Sequence, residues 1–129
     1  MENPENLKYT KEHEWVKLEE DIATMGITDF AQNQLTDIVF VELPKKGKKV
    51  EQFEQIAVVE SVKSVSDIFA PLSGEIIEVN EKLKDNPETL NKDAFGEGWI
   101  AKIKIKDKKE LDNLMSADDY TKFVKKEKH

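Results

Sequence analysis

The stretch VVESVKSVSDIFAPLSGEI, residues 58–76, decides the fold, because two runs of strand-forming residues in it flank a short polar segment. Runs rich in Val, Ile and Phe, bounded by Ser, Pro and Gly, are typical of short strands joined by turns. The polar segment runs from Ser61 to Ser64 and contains Lys63. The sequence therefore predicts a β-hairpin whose tip carries Lys63.

Short strands are also predicted on both sides of this hairpin, in the segments EHEWVKLEED, IATMGIT, DIVFVEL, SGEIIEVN and GEGWIAKIKIK. The first two form a hairpin with an exposed acidic turn at 19–21. In the last segment Ala101, Ile103 and Ile105 alternate with lysines, as in a half-exposed strand. Because strand–helix alternation is absent, these features favour a small barrel or sandwich over a parallel α/β sheet.

The predicted helices are short and peripheral. Thr28 suits the N-cap of the first, and one helical turn is predicted after Pro87. Asp107 can cap another short helix, and Ser116 has the capping-box spacing that begins a C-terminal helix. The region 107–127 is therefore expected to form a helical cover over one side of the core.

Composition excludes several classes of function. The chain has 129 residues, enough for one domain, and a net charge of −7 with no arginine, which disfavours nucleic-acid binding. It contains no cysteine, which removes thiolate catalysis and cysteine metal sites. No apolar run reaches membrane-spanning length, and the N-terminus resembles neither a signal nor a transit peptide. We therefore expect a cytoplasmic protein rather than a mitochondrial one. We expect no membrane among its partners.

Catalytic and metal-binding residues are scarce. Besides the terminal His129, only His13 could serve as a histidine base. Strand alternation would place Glu12 and Glu14 on the side opposite His13, which is poor geometry for holding one ion. We therefore expect neither a catalytic residue nor a metal site.

Lys63 has three interpretations from spacing alone. It can be an ordinary polar residue at a hairpin tip, or a Schiff-base lysine, which would need burial to lower its pKa. It can also be an attachment point for a cofactor, which a turn would present to modifying and partner enzymes. The spacing does not decide among them.

The wider sequence resembles a known family. The segments ESVKSVSD, APLSGEIIEVN and GEGWIAKIKI are similar to those of the H-protein family of the glycine cleavage system. YTKEHEWV, GITDFAQ and DIVFVELPKKGKKV also match, in the same order. The resemblance runs from Leu7 to about Val124, and one departure is Ala94, where the family commonly has proline. It implies a single domain spanning residues 1–129, with its core at about 7–124.

The resemblance implies a lipoyl/biotinyl-domain-like barrel-sandwich hybrid with short peripheral helices and a C-terminal helix. It implies a non-catalytic carrier of glycine catabolism and one-carbon metabolism, with lipoate in amide linkage to Lys63. Such a carrier takes the aminomethyl group of glycine from glycine decarboxylase (P) to aminomethyltransferase (T). Dihydrolipoyl dehydrogenase (L) then reoxidises the arm. Lipoate-attaching enzymes are further implied partners.

Site residues follow from the same resemblance. The recognition flank for lipoate attachment would be Glu60, Ser61, Val62 and Ser64. If the loaded arm folds back on the domain, acids should face its ammonium group, and the candidates are Glu12, Glu14 and Asp67. Gly74 would either permit a tight turn near the modified hairpin or simply begin a strand.

Other functions stay open. A lipoyl relay protein, donating lipoate to 2-oxoacid dehydrogenase subunits, would use the same Lys63. A biotin carrier is disfavoured because that family places methionines beside its lysine, whereas Val62 and Ser64 flank Lys63 here. A stand-alone hydrolase or lyase using Lys63 or His13 would be active without lipoate or partners.

Overall fold

The computed structural model describes residues 3–127 and contains two antiparallel β-sheets with short helices around them. Within that range there are nine strands: β1 Lys8–Tyr9, β2 Glu14–Glu19, β3 Ile22–Ile27, β4 Ile38–Glu42, β5 Lys49–Val50, β6 Gln55–Ser61, β7 Val65–Phe69, β8 Gly74–Val79 and β9 Ala101–Ile105. The larger sheet has the order β1-β2-β3-β9-β8-β5, and the smaller has the order β4-β6-β7. The predicted mainly β fold is confirmed.

The helices are α1 Asp29–Leu35, α2 Lys82–Asp85, α3 Thr89–Lys92 and α4 Ala117–Glu127, with a 3₁₀ helix at Lys108–Asn113. Thr28 caps α1 as predicted, since its Oγ1 accepts the Ala31 N–H. The Ser116 hydroxyl likewise accepts the Asp119 N–H at the start of α4. The sequence did not indicate α2, whose N-cap residue Glu81 makes no capping hydrogen bond through its side chain.

The larger sheet supplies most of the framework. β2 and β3 form the predicted acidic hairpin, with Val16 opposite Met25, and β3 continues onto β9 through the pair Ala23 and Ile103. In β9 the side chains of Ala101 and Ile103 are buried and that of Lys104 is exposed, so the predicted alternation is confirmed.

The smaller sheet carries the central hairpin. β6 and β7 pair so that Val59 lies opposite Ser66 and Glu60 opposite Val65. β4 joins on the other side of β6, with Val41 opposite Val59 and Phe40 opposite Glu60. Within the core, apolar side chains from this sheet contact those of the larger sheet, including Met25, Ile76 and Ile103. The hairpin is therefore fixed to the rest of the domain along its length.

The C-terminal helix α4 covers a separate apolar cluster, as predicted. Its Tyr120 ring stacks on Tyr9 with the ring centroids 4.6 Å apart. The Tyr120 hydroxyl lies 2.7 Å from Thr28 Oγ1 and 2.8 Å from His13 Nδ1. Burial raises the pKa of both tyrosines, so both stay neutral at physiological pH. These contacts join α4 to the turn before β2.

Gly74 begins β8 beside the backbone of β9. A Cβ atom there would lie 2.1 Å from the carbonyl oxygen of Lys104, far inside van der Waals contact. Of the two predicted roles, the structure supports the start of a strand, with close approach to β9 as the reason for glycine. A tight turn near the Lys63 hairpin is not its role.

Candidate functional site

Lys63 lies at the tip of the β6–β7 hairpin, as predicted, and its side chain is exposed. Ser61 holds the turn together: its N–H donates to the carbonyl of Ser64 at 2.8 Å. Its hydroxyl oxygen accepts the N–H groups of Lys63 and Ser64 at 3.3 and 3.1 Å. Serine suits such a turn because its hydroxyl can accept from nearby backbone donors.

A backbone hydrogen bond also connects this turn to the residue before β4. The Val62 N–H donates to the carbonyl of Asp37, at 3.0 Å, just before β4 begins. Hydrogen bonds therefore fix the backbone on both sides of Lys63. The tip presents one unobstructed amine on an ordered base, which is the geometry that an attached cofactor requires.

The predicted recognition flank divides into two kinds of residue. Ser61 has the structural role just described, and Ser64 closes the turn with it. Val62 is exposed, and Glu60 is half-buried on the sheet face opposite the core, between its cross-strand partners Phe40 and Val65. Besides the exposed Ser64, Glu60 and Val62 are therefore the flank residues that an approaching enzyme can contact.

A cleft of about 550 Å³ lies beside the hairpin, between β7, α1 and the turn before β2. Half of its lining residues are apolar: Ile27, Phe30, Ala31, Leu35 and Ile68. Polar side chains complete it: Glu12, His13, Gln34, Ser66 and Glu127. The sequence did not indicate this cleft, because its walls come from segments far apart in the chain.

Strand alternation does not hold at His13, so the prediction that Glu12 and His13 point to opposite sides is wrong. β2 begins only at Glu14, and His13 has a positive φ of 70° in the turn before it. Glu12 and His13 therefore line the same cleft. His13 Nε2 lies 2.9 Å from the carboxylate of Glu127 at the end of α4, so this pair joins two walls of the cleft.

Glu14 is fully buried. One carboxylate oxygen accepts from the Thr10 hydroxyl, and the other accepts the Phe69 N–H at 3.1 Å. Burial raises the pKa of this carboxyl to about 7, with a small contribution from the charge of Glu12, although both hydrogen bonds act in the opposite direction. Its cross-strand partner Ile27 lines this cleft, whereas its hydrogen-bond partners Thr10 and Phe69 line a second cavity together with Glu12.

Asp67 is exposed on β7 and pairs with Val58. Its neighbours Ser66 and Ile68 line the cleft. Because strand side chains alternate, Asp67 points to the opposite face of the small sheet. Of the three acids predicted to face a docked arm, the structure therefore places Glu12 in the cleft and Asp67 on the other face of the small sheet, while Glu14 is buried against Thr10 and Phe69.

Comparison with known proteins identifies the family. A family model described as glycine cleavage H-protein matches residues 7–127. The chain belongs to the glycine cleavage H-protein family. A probable glycine cleavage system H protein from Aeropyrum pernix is 55% identical over 123 residues, covering 95% of this chain and 86% of the relative. The H protein of Halothermothrix orenii is 52% identical, covering 96% and 97%.

A solved structure agrees with this H-protein assignment. The crystal structure of a glycine cleavage system H protein from Mycobacterium marinum superposes with a TM-score of 0.84 at 35% identity, covering 93% of this chain and 97% of that one. The predicted lipoyl-domain-like barrel sandwich is thereby confirmed. Family membership supports a role as lipoyl carrier in glycine cleavage. No helix within residues 3–127 is long and apolar enough to cross a membrane.

Proposed function

We propose that this H protein carries lipoate in amide linkage to Lys63 and moves the aminomethyl group of glycine from the P component to the T component. The L component would then return the arm to its oxidised state. The observation that carries this proposal is the exposed Lys63 on a hydrogen-bonded hairpin tip in a chain of the H-protein family. The protein itself acts as a carrier subunit and performs no catalysis.

The residues around Lys63 fit a covalently attached lipoyl group. The amine is free in solvent and the turn is closed by backbone and serine hydrogen bonds, so acylation of the amine disturbs no contact of the fold. When bound, lipoate supplies a disulfide that accepts the aminomethyl group and two electrons. Lys63 and the lipoyl chain together would reach about 13 Å, from about eleven bonds of roughly 1.2 Å each.

The cleft beside the hairpin is the proposed resting place of the arm. Its apolar wall suits a hydrocarbon chain, and Glu12 at its rim would attract an ammonium group at the end. Glu14, buried beside Thr10 and Phe69, would gain negative charge as a cation approaches. Asp67, on the other face of the sheet, has the weakest geometric support of the three proposed acids.

The intact mass of protein from a lipoate-replete host tests the attachment site. The wild type should gain the mass of one lipoyl group, whereas Lys63→Arg should gain nothing because its guanidinium is not acylated. Lys46→Arg is the matched control, since Lys46 is exposed on the basic turn before β5. It should gain the same mass as the wild type. A lipoyl increment in Lys63→Arg would overturn the assignment.

A further inference from the structure

Exposed apolar side chains cluster around the hairpin tip. The large apolar residues with the greatest exposure within residues 3–127 are Val39 53%, Phe40 49%, Phe53 48%, Val62 67% and Val65 63%. All of them except Phe53 belong to the hairpin tip or to the strand beside it. Contiguous exposed apolar surface is typical of interaction sites.

A β-bulge in β4 creates half of this cluster. Ile38 lies opposite Ser61 and Phe40 opposite Glu60, so Val39 is an extra residue in the ladder. Without the bulge, alternation would place Ile38 and Phe40 on the same face. With it, Ile38 is buried and both Val39 and Phe40 are exposed. The bulge therefore moves an aromatic side chain out of the core and onto the surface near Lys63.

Phe40, Glu60 and Val65 form one row across the three strands of the small sheet, on the face opposite the core. The next row on that face consists of Glu42, Val58 and Asp67. The first row thus contains one carboxylate and the next row contains two. Such a surface is complementary to an apolar patch bordered by Lys or Arg.

The length of the unmodified lysine favours an enzyme that acylates its amine as the occupant. Its amine lies only about 6 Å from the backbone, because five bonds separate Cα from Nζ. An enzyme that acylates this amine must therefore bring its active site over the hairpin tip. Phe40 lies roughly 10 Å from the tip by strand spacing, within the area that such an enzyme covers. An enzyme that binds the lipoylated arm can have its active site about twice as far from the backbone of Lys63.

We propose that Phe40, Val62 and Val65, with Glu60 among them, form the docking surface for the ATP-dependent ligase that lipoylates Lys63. This inference rests on the proposed function, in which Lys63 carries lipoate. Phe40 is the aromatic anchor, and aromatic residues at the centre of an interface commonly dominate its binding energy. Glu60 pairs with a basic residue on the ligase, beside the apolar contact.

The reaction served by this surface is acyl transfer. The neutral Lys63 amine, having given its proton to a base of the ligase, attacks the carbonyl carbon of lipoyl adenylate. A C–N amide bond forms, and the C–O bond to the adenylate phosphate breaks. AMP leaves with that electron pair, and the second proton of the attacking amine passes to solvent. No oxidation or reduction occurs, and ATP supplies the adenylate.

The test measures lipoylation of the apo protein by a purified lipoate ligase with ATP and lipoate, using intact mass at timed intervals. Phe40→Ser should lower kcat/KM for the apo protein about tenfold, mainly through KM, since truncation of an interface anchor commonly has an effect of this size. Phe40→Leu should keep most of the activity because it keeps an apolar side chain. Thermal unfolding of each variant checks that it folds.

Phe53→Ser is the matched control, because Phe53 is equally exposed but lies at the other end of the hairpin, next to Ala70. It should be lipoylated at the wild-type rate. Equal kcat/KM for folded Phe40→Ser and the wild type would overturn the docking surface. Lys63→Arg separates the two proposals: if it is lipoylated, the proposed function fails instead.

A second measurement separates the ligase from the other partners. Phe40→Ser, lipoylated to completion with excess ligase, should be reduced by dihydrolipoyl dehydrogenase with NADH at the wild-type rate. A normal lipoylation rate combined with slow reduction would assign the patch to the dehydrogenase and refute the ligase proposal.

Discussion

The buried carboxyl of Glu14 should make the stability of this protein depend on pH. Its pKa is raised from 4.5 to about 7 in the folded protein, chiefly by burial. Between these values the unfolded chain has released this proton while the folded chain still holds it. Rising pH therefore favours the unfolded state, and the stability that the protonated carboxyl preserves is lost as pH rises through the folded pKa.

The magnitude follows from the same two values. Each unit of pKa difference corresponds to about 1.4 kcal/mol, and integration from pH 5 to pH 8 gives a loss of about 2 to 3 kcal/mol from this group alone. Glu14→Gln removes the titration and keeps an oxygen that can accept the Phe69 N–H. The free energy of unfolding of the variant, relative to the wild type, should therefore rise by about 2 to 3 kcal/mol over this range.

Urea unfolding followed by circular dichroism, at half-unit steps from pH 5 to pH 8, measures this difference. Asp67→Asn is the control for loss of a surface charge, and the stability of this exposed variant should stay within about 0.5 kcal/mol of the wild type at each pH. Parallel curves for the wild type and Glu14→Gln would refute the reasoning, because they would mean that Glu14 is ionised in the folded state throughout.

Two further predictions concern β8 and the cleft. Gly74→Ala should lower the free energy of unfolding by at least about 2 kcal/mol, because its Cβ would overlap the Lys104 carbonyl. Gly47→Ala, where space is open but φ is 93°, should cost only about 1 kcal/mol in the same urea assay. Glu12→Gln and Glu14→Gln should each shorten the lifetime of the lipoyl arm that carries the aminomethyl group. The assay measures release of formaldehyde and ammonia with the P component absent. Unchanged release from both would remove the proposed role of these acids.

Much of the fold followed from local patterns. The alternation in β9, the hairpin tip at Lys63 and the Thr28 cap are each encoded within a few neighbouring residues, so the sequence predicted them correctly. The exposure of Phe40 could not be predicted in this way. It depends on the register of β4 against β6, and the bulge at Val39 leaves no mark in the apolar run DIVFVEL.

The candidate site was predictable only where one residue sufficed. Lys63 stood out within its own segment. The cleft did not, since it needs α1, β7 and the end of α4 together. The segment EHE resembles a solvated acidic strand. His13 instead has a positive φ, Glu12 and His13 line the same cleft, and Glu14 is buried. Thr10, four residues earlier, was the available signal, because a hydroxyl so near a buried acid can satisfy it.

The hydrogen bonds that fix the hairpin tip also set an effective concentration. With Val62 tied to the Asp37 carbonyl and Ser61 closing the turn, motion of an attached arm begins at the side chain of Lys63. A group confined to a half-sphere of about 13 Å radius has a local concentration on the order of 0.4 M. Contacts in the cleft with dissociation constants near 0.1 M would then suffice to keep the arm docked most of the time. A partner binding site need be only slightly stronger to draw the arm out, so the protein can hold its cargo without slowing its delivery.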